Sequence, residues 1–272
     1  MIPVAFDYEV AESVAHAVEL LGSREDAKLL AGGHSLVPLL KLRVVRPALL
    51  VDVGRLTELS YVHDDGDTLT IGALTRHHDL ATDGLVREHA PLLAAAAAQI
   101  GDPQVRHRGT IGGSAAHGDP ASDLPACLLA LDAELLVVGP GTERFVPAAD
   151  FFRGVFMTAV GPQEVLSAVR VRKHGDSGCA YLKFRRRAQD WATVGVAVVL
   201  GNGGGAIALA NMGPTPLRAR TAESALAEGA AAAGEGAAVD TSPPSDVAAS
   251  AEFRKHLARV LTRRAVEQAL AG

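Results

Sequence analysis

Two short strings in this 272-residue chain carry the residue types that hold an anion. Ala31-Gly32-Gly33-His34-Ser35 and Thr110-Ile111-Gly112-Gly113-Ser114 each set paired glycines beside a hydroxyl. Glycine has no Cβ, so successive backbone N–H groups can turn inward and form a concavity for an oxyanion. Two such nests suit a diphosphate, and together they are read as holding the pyrophosphate of a bound dinucleotide. Neither string fits the G-x-G-x-x-G turn of a dinucleotide-binding βαβ unit, and no segment matches the P-loop lysine pattern. Gly201-Asn202-Gly203-Gly204-Gly205 lies between β-type runs and is read as a hairpin turn instead.

The elements that must position these strings follow from periodicity. Val10, Val14, Ala17, Val18 and Leu21 recur at helical spacing, with Gly22 at the end. A strand over residues 28–31 feeds the first glycine pair, and Pro38 discourages a long helix beyond it. Residues 48–53 read as a strand in which Asp52 bonds the amides of a neighbouring loop. Residues 68–73 form another strand, after the turn Asp64-Asp65-Gly66-Asp67. Pro91 opens an alanine-rich helix that Gly101 closes. A basic loop over 102–109 delivers the second pair, and loop continues to Asp123, a candidate N-cap for a helix with Pro125 in its first turn. Strands are expected at 134–138 and 165–171.

The polar stretch at 174–178 marks the main boundary. It gives domains 1–174, with lobes of about 1–55 and 56–174, and 175–272. Strands at 180–187, 193–200 and 206–212 follow, then a helix near 219–228 and Gly- and Pro-rich sequence to 245. A last helix over 250–270 carries Phe253, Leu257, Val260, Leu261 and Val266 on one side.

Composition narrows the function classes. The chain exceeds the roughly 100–150 residues of a typical domain, and 48% apolar with 21% charged residues describes a globular protein. The longest apolar runs, 92–98 and 194–200, fall short of the roughly 20 residues of a membrane span. No basic-then-apolar leader is visible, which predicts a cytoplasmic setting. A net charge of −5 argues against general nucleic-acid binding. Cys127 and Cys179 are too few for an iron–sulfur cluster or a zinc knuckle. His77 and His78, adjacent on a helix, point apart, so no metal site is expected there. No acid–base dyad or nucleophile stands out, and no catalytic side chain is assigned.

Longer strings are more specific than a glycine pair. Ala31-Gly32-Gly33-His34-Ser35-Leu36 with Pro38, Thr110 to Ser114, and Asp119-Pro120-Ala121-Ser122-Asp123 resemble the FAD-binding medium subunit of molybdenum hydroxylases. That family includes the carbon monoxide dehydrogenase flavoprotein and the flavin part of xanthine dehydrogenase. Ile71-Gly72-Ala73, the Ile100 to Arg106 segment, Lys183 with Arg186, Asp190-Trp191-Ala192 and the C-terminal helix extend the resemblance over nearly the whole chain.

The resemblance implies an α+β fold: a two-lobed FAD-binding domain of the vanillyl-alcohol oxidase (PCMH) type, then a smaller α+β domain with an antiparallel sheet and helices. It implies that Ala31, Gly32, Gly33, His34, Ser35 and Leu36, with Thr110, Ile111, Gly112, Gly113 and Ser114, bind the pyrophosphate and ribityl chain of FAD. Asp123 would bond polar groups of the cofactor, and Ile100, Leu166, Lys183 and Trp191 would line the isoalloxazine ring. Trp191 stands where relatives resemble one another in having tyrosine, so ring stacking is kept and a phenolic hydroxyl is lost. The implied role is electron transfer: from iron–sulfur clusters of a small subunit, in a complex whose large subunit holds molybdopterin, through FAD to an external acceptor. A heterotrimer or its dimer is implied. The FAD is implied to be dissociable, although His107 and His117 flank the second string.

Position alone leaves some residues with two readings. His34 either touches phosphate or bonds its own loop, and Lys183 is either a ring contact or a solvent-exposed strand residue. Arg185-Arg186-Arg187 read as alternating strand faces, with Arg186 or a neighbour a candidate for facing the iron–sulfur subunit. The alternatives for the whole chain are a stand-alone FAD-dependent NAD(P)H reductase and a cofactor-free assembly module.

Overall fold

The structure, a computed structural model, describes residues 2–175, 177–201 and 204–271. Three short strands, β1 (Asp7–Val10), β2 (Ala27–Leu30) and β3 (Leu49–Asp52), form a parallel sheet in the order β1-β3-β2. Helix α1 (Val14–Ser23) closes it, burying Ala17, Val18 and Leu21 against Leu49, Val51 and Val53. Val10, expected in this helix, is the last residue of β1 and pairs with Asp52. The helix begins later because Ser13 caps it, its Oγ accepting from His16 N at 3.1 Å. Gly22 lies inside the helix. Helix α2 (Leu36–Lys41) is only six residues long, with Pro38 in its first turn, where a missing N–H costs little.

The second lobe is built on an antiparallel sheet of β4 (Val62–Asp64), β5 (Thr68–Gly72), β6 (Glu134–Gly139), β7 (Thr142–Pro147) and a later strand. A small hairpin of β8 (Phe152–Gly154) and β9 (Met157–Thr158) precedes that strand, β10 (Val165–Arg172), and the order is β4-β5-β10-β6-β7. Helices α3 (His77–Thr82), α4 (Gly84–His89), α5 (Pro91–Ala97), α6 (Pro103–Arg106), α7 (Ile111–His117), α8 (Asp123–Ala130) and α9 (Ala148–Phe151) accompany it. Two of these correct the sequence reading. The basic segment 102–109 contains α6, capped by Asp102 Oδ1 on Val105 N. The second glycine pair lies in the first turn of α7, and not in a loop.

The C-terminal sheet is antiparallel: β11 (Cys179–Phe184), β12 (Val194–Gly201), β13 (Gly204–Ala210) and β14 (Leu217–Arg218). Asn202 and Gly203 of the expected hairpin turn lie outside the described residues, and Gly201 pairs with Gly204 across it. Both faces are covered, which is why the run from Val194 to Val199 is apolar without alternation. Val194, Val196, Val198, Ile207 and Leu209 face the helical layer of α10 (Arg220–Ser224), α11 (Ala230–Gly236) and α12 (Ala251–Ala271). Tyr181, Ala197, Val199, Ala208 and Ala210 instead join the core of α5 and α8. Helix α11 occupies sequence expected to be irregular.

The buried side of α12 differs from expectation. Phe253 is 43% exposed, and the side that packs is Arg254, Leu257, Ala258, Leu261, Thr262, Ala265, Val266 and Ala269. Alanines at these positions let the helix approach the sheet closely. Arg254 tolerates burial because its Nη2 donates to both Asp246 carboxylate oxygens, at 2.8 and 2.7 Å, and its Nη1 donates to the Thr193 carbonyl.

Candidate functional site

The first glycine pair turns between β2 and α2. Gly33 sits at φ +77°, a conformation that favours glycine. Among the described residues, the amides of Gly32, Gly33, His34 and Ser35 have no protein acceptor. They form the open amide row expected of an anion nest. Ser35 takes the N-cap position of α2 with no side-chain cap bond, and Leu36 begins that helix. The row borders the end of β3, where Asp52 Oδ1 accepts from Gly54 N at 2.7 Å, as its sequence position suggested, and Asp52 Oδ2 accepts from the Tyr8 hydroxyl.

The structure brings the two strings together. A Cβ on Gly32 would overlap the Arg108 carbonyl and lie 2.9 Å from Gly109 Cα. That segment is itself braced: Gly109 O accepts from His77 N at 3.0 Å, and the Arg76 guanidinium donates to Arg108 O. His77 is 5% exposed, its Nδ1 lacks a partner, and burial next to His34, Arg76 and Arg106 lowers its pKa to about 4. It is therefore a neutral imidazole under the junction. His78 instead meets the His107 ring, centroids 4.0 Å apart.

The second string is built differently. Ile111 N donates to Thr75 O, Gly112 N to Ala73 O, Gly113 N to Thr110 Oγ1 and Ser114 N to Thr110 O. These amides are consumed by a helix cap and by a bridge to the segment after β5. The expected second nest is thus not open. Gly112 is fully packed, with a Cβ there falling 2.8 Å from Ala73 O, whereas Gly113 is exposed.

A third group lies at the seam between α8 and β11. Asp123, expected as an N-cap, is the first residue inside α8 behind Ser122, and its carboxylate turns into the seam. Lys183 Nζ donates to Asp123 Oδ2 at 2.9 Å, and the Tyr181 hydroxyl donates to Oδ1 at 2.5 Å. The Asp123 and Lys183 side chains are 3% and 1% exposed, which removes the solvent-exposed reading of Lys183. Burial raises the Asp123 carboxyl despite the pull of Lys183, and drives the Tyr181 phenol well above its usual range. Gln99 O, beside Ile100 past the end of α5, accepts from Arg185 and from Lys183. Tyr181 was missed in the sequence; its position two residues before Lys183, on the same strand face, is the one signal available.

Leu166 is buried in β10 opposite Val137. Trp191 is half exposed and lines a cleft of about 310 Å³ with Asp119, Ala121, Asn211 and Arg254. Arg185, Arg186 and Arg187 lie past the end of β11, so they do not alternate as strand faces. Arg186 reaches the Val247 carbonyl, and Arg187 pairs with Asp190.

The open amide row of the first string, braced on the segment that leads into the second, fits a diphosphate-bearing cofactor. Comparison with known proteins names it. Residues 4–172 match the family model of the FAD binding domain in molybdopterin dehydrogenase, and residues 179–269 match the carbon monoxide dehydrogenase flavoprotein C-terminal domain. The carbon monoxide dehydrogenase medium chain of Hydrogenophaga pseudoflava is 42% identical, covering 100% of this chain and 99% of that one. Subunit alpha of the 6-hydroxypseudooxynicotine dehydrogenase complex of Paenarthrobacter nicotinovorans is 40% identical, over 99% and 96%. The solved structure of carbon monoxide dehydrogenase from Hydrogenophaga pseudoflava, in a form lacking the Mo-pyranopterin moiety, matches with a TM-score of 0.96 and 44% identity, over 100% of this chain and 99% of that chain. Among the described residues no helix is long and apolar enough to cross a membrane. The chain belongs to the family of FAD-binding medium subunits of molybdopterin-dependent dehydrogenases, and is an oxidoreductase flavoprotein subunit of mixed helix and sheet with an antiparallel C-terminal sheet.

Proposed function

We propose that this chain is the electron-transfer subunit of a cytoplasmic molybdenum hydroxylase complex, taking electrons from iron–sulfur clusters of a small subunit and passing them to an external acceptor. A large molybdopterin subunit completes a heterotrimer or its dimer. The observation that carries the reading is the open amide row at residues 32–35, held against Arg108 and Gly109. FAD, when bound, accepts electrons singly and releases them in pairs, and the protein supplies position and charge around it.

In this scheme the amides of Gly32, Gly33, His34 and Ser35 donate to the diphosphate. Exposed Gly113 and half-buried Ser114 border it, while Thr110, Ile111 and Gly112 hold α7 in place. Domains 1–174 and 175–272 then divide the work. The first grips the diphosphate end, and the seam residues Asp123 and Lys183 set the charge at the other end, with Ile100, Leu166 and Trp191 as apolar walls.

Co-expression with the small and large subunits tests it. The complex is expected to contain FAD and to reduce an acceptor with substrate. The same complex stripped of FAD should still reduce its iron–sulfur clusters but not the acceptor. A chain that stays colourless after FAD reconstitution would make it a cofactor-free assembly module, and turnover with NAD(P)H in the absence of partners would make it a stand-alone reductase.

A further inference from the structure

We propose that Tyr181 is a positioning residue of the flavin site: its hydroxyl fixes the Asp123 carboxylate, and through it the Lys183 ammonium, at the seam between α8 and β11. The proposal rests on the functional reading above. Tyr181 is buried, and its hydroxyl and the Lys183 ammonium each occupy one oxygen of Asp123. The two donors are two residues apart on one strand, so they leave the sheet on the same face.

An independent feature shows that the sheet is shaped around this hydroxyl. Lys183 pairs across the sheet with Gly195, and a Cβ on Gly195 would lie 2.6 Å from the Tyr181 hydroxyl. Glycine in a strand interior marks a close approach, and what approaches here is the phenol oxygen. A tyrosine kept only for its ring would not need that space.

A carboxylate and an ammonium withdrawn from water need every remaining hydrogen-bonding position filled with good geometry. Without the hydroxyl, Lys183 is the one remaining side-chain donor to Asp123 among the described residues, and the carboxylate is free to turn and carry the ammonium with it. A cation held beside a flavin favours the more negative, reduced form of the cofactor, so its placement sets the potential.

The test uses the full chain reconstituted with FAD, comparing the midpoint potential and FAD dissociation of wild type, Tyr181→Phe, Lys183→Met and the double variant. Lys183→Met is expected to lower the potential. Tyr181→Phe should lower it by less, corresponding to an about threefold change in the ratio of affinities for reduced and oxidised FAD, as for one hydrogen bond. Adding Tyr181→Phe to Lys183→Met should change nothing further. A wild-type potential in either single variant overturns the proposal, as does a Tyr181→Phe shift that persists undiminished in the Lys183→Met background. A wild-type chain that takes up no FAD overturns the functional reading, and this proposal with it.

Discussion

Among the described residues, the chain turns at residues 32–33 with its amides unbonded and Gly33 at φ +77°, whereas at residues 112–113 it enters a helix with each amide already bonded. Both pairs are glycine, but for different reasons. Gly33 is required by backbone conformation, Gly32 and Gly112 by the absence of a Cβ where another backbone comes close, and Gly113 by the space of the Thr110 cap. The difference separates binding from support: an amide already spent on the protein cannot be offered to a phosphate. In the proposed function the first pair therefore supplies the donors, while the second, with its amides bonded to Ala73 and Thr110, supports them.

His77 lies under the brace between them, and the largest effect is expected there. Its folded-state pKa of about 4 is below the unfolded value of about 6.5, so the unfolded chain binds the proton more readily between those values. Stability is therefore fully present above pH 6.5 and falls as the pH drops toward 4, by about 3 kcal/mol from this one group. Chemical denaturation at pH 7 and at pH 4.5 should show the loss in wild type and a much flatter dependence in His77→Leu. An equally steep dependence in the variant would show that the brace is not held by a neutral imidazole.

Gly112→Ala comes next. The added methyl meets Ala73, whose Cα and O would lie 2.9 and 2.8 Å away, and overpacking of this kind costs about 2 kcal/mol. Thermal unfolding of the FAD-free chain should register that loss in full, while the fraction that stays folded binds FAD normally. A Gly112→Ala chain with wild-type melting and lost FAD affinity would erase the distinction between donor and support.

Much of this architecture was legible, and what was not has a common physical cause. The run from Val194 to Val199 read correctly as a strand because a sheet covered on both faces needs no polar alternation. Gly112 of α7 and the glycines of α11 read as loop signals, yet they are packing glycines: Gly112 lies against Ala73, Gly234 against Arg259 O, and Gly236 against Ala222. A sequence window shows that Cβ is missing, but not the neighbour that forbids it. Strand β7 was missed because Glu143, Arg144 and Phe145 are exposed on an edge and carry no apolar period. The glycine turn at residues 32–33 was recognisable because its conformation is local to residues 31–36. Tyr181 was not, because its partner Asp123 is 58 residues away and nothing around either residue announces the other.

The smallest effects test the first pair most directly. Gly33→Ala places a non-glycine residue at φ +77°, a cost of about 1 kcal/mol, and its Cβ would point toward Val37 and Leu30 and not toward the amide row. Any loss of FAD affinity beyond that of stability must then come from reorientation of the amides at residues 32–35. About tenfold weaker FAD binding is expected, close to the value of one charge-assisted hydrogen bond. Gly204→Ala supplies the baseline, since nothing lies within 4 Å of a Cβ there; its stability should stay within about 0.5 kcal/mol of wild type and its FAD affinity should be unchanged. Fluorescence titration of all three chains with FAD decides it: equal affinities would mean that the row at residues 32–35 does not bear the diphosphate, and a loss confined to Gly33→Ala would mean that it does.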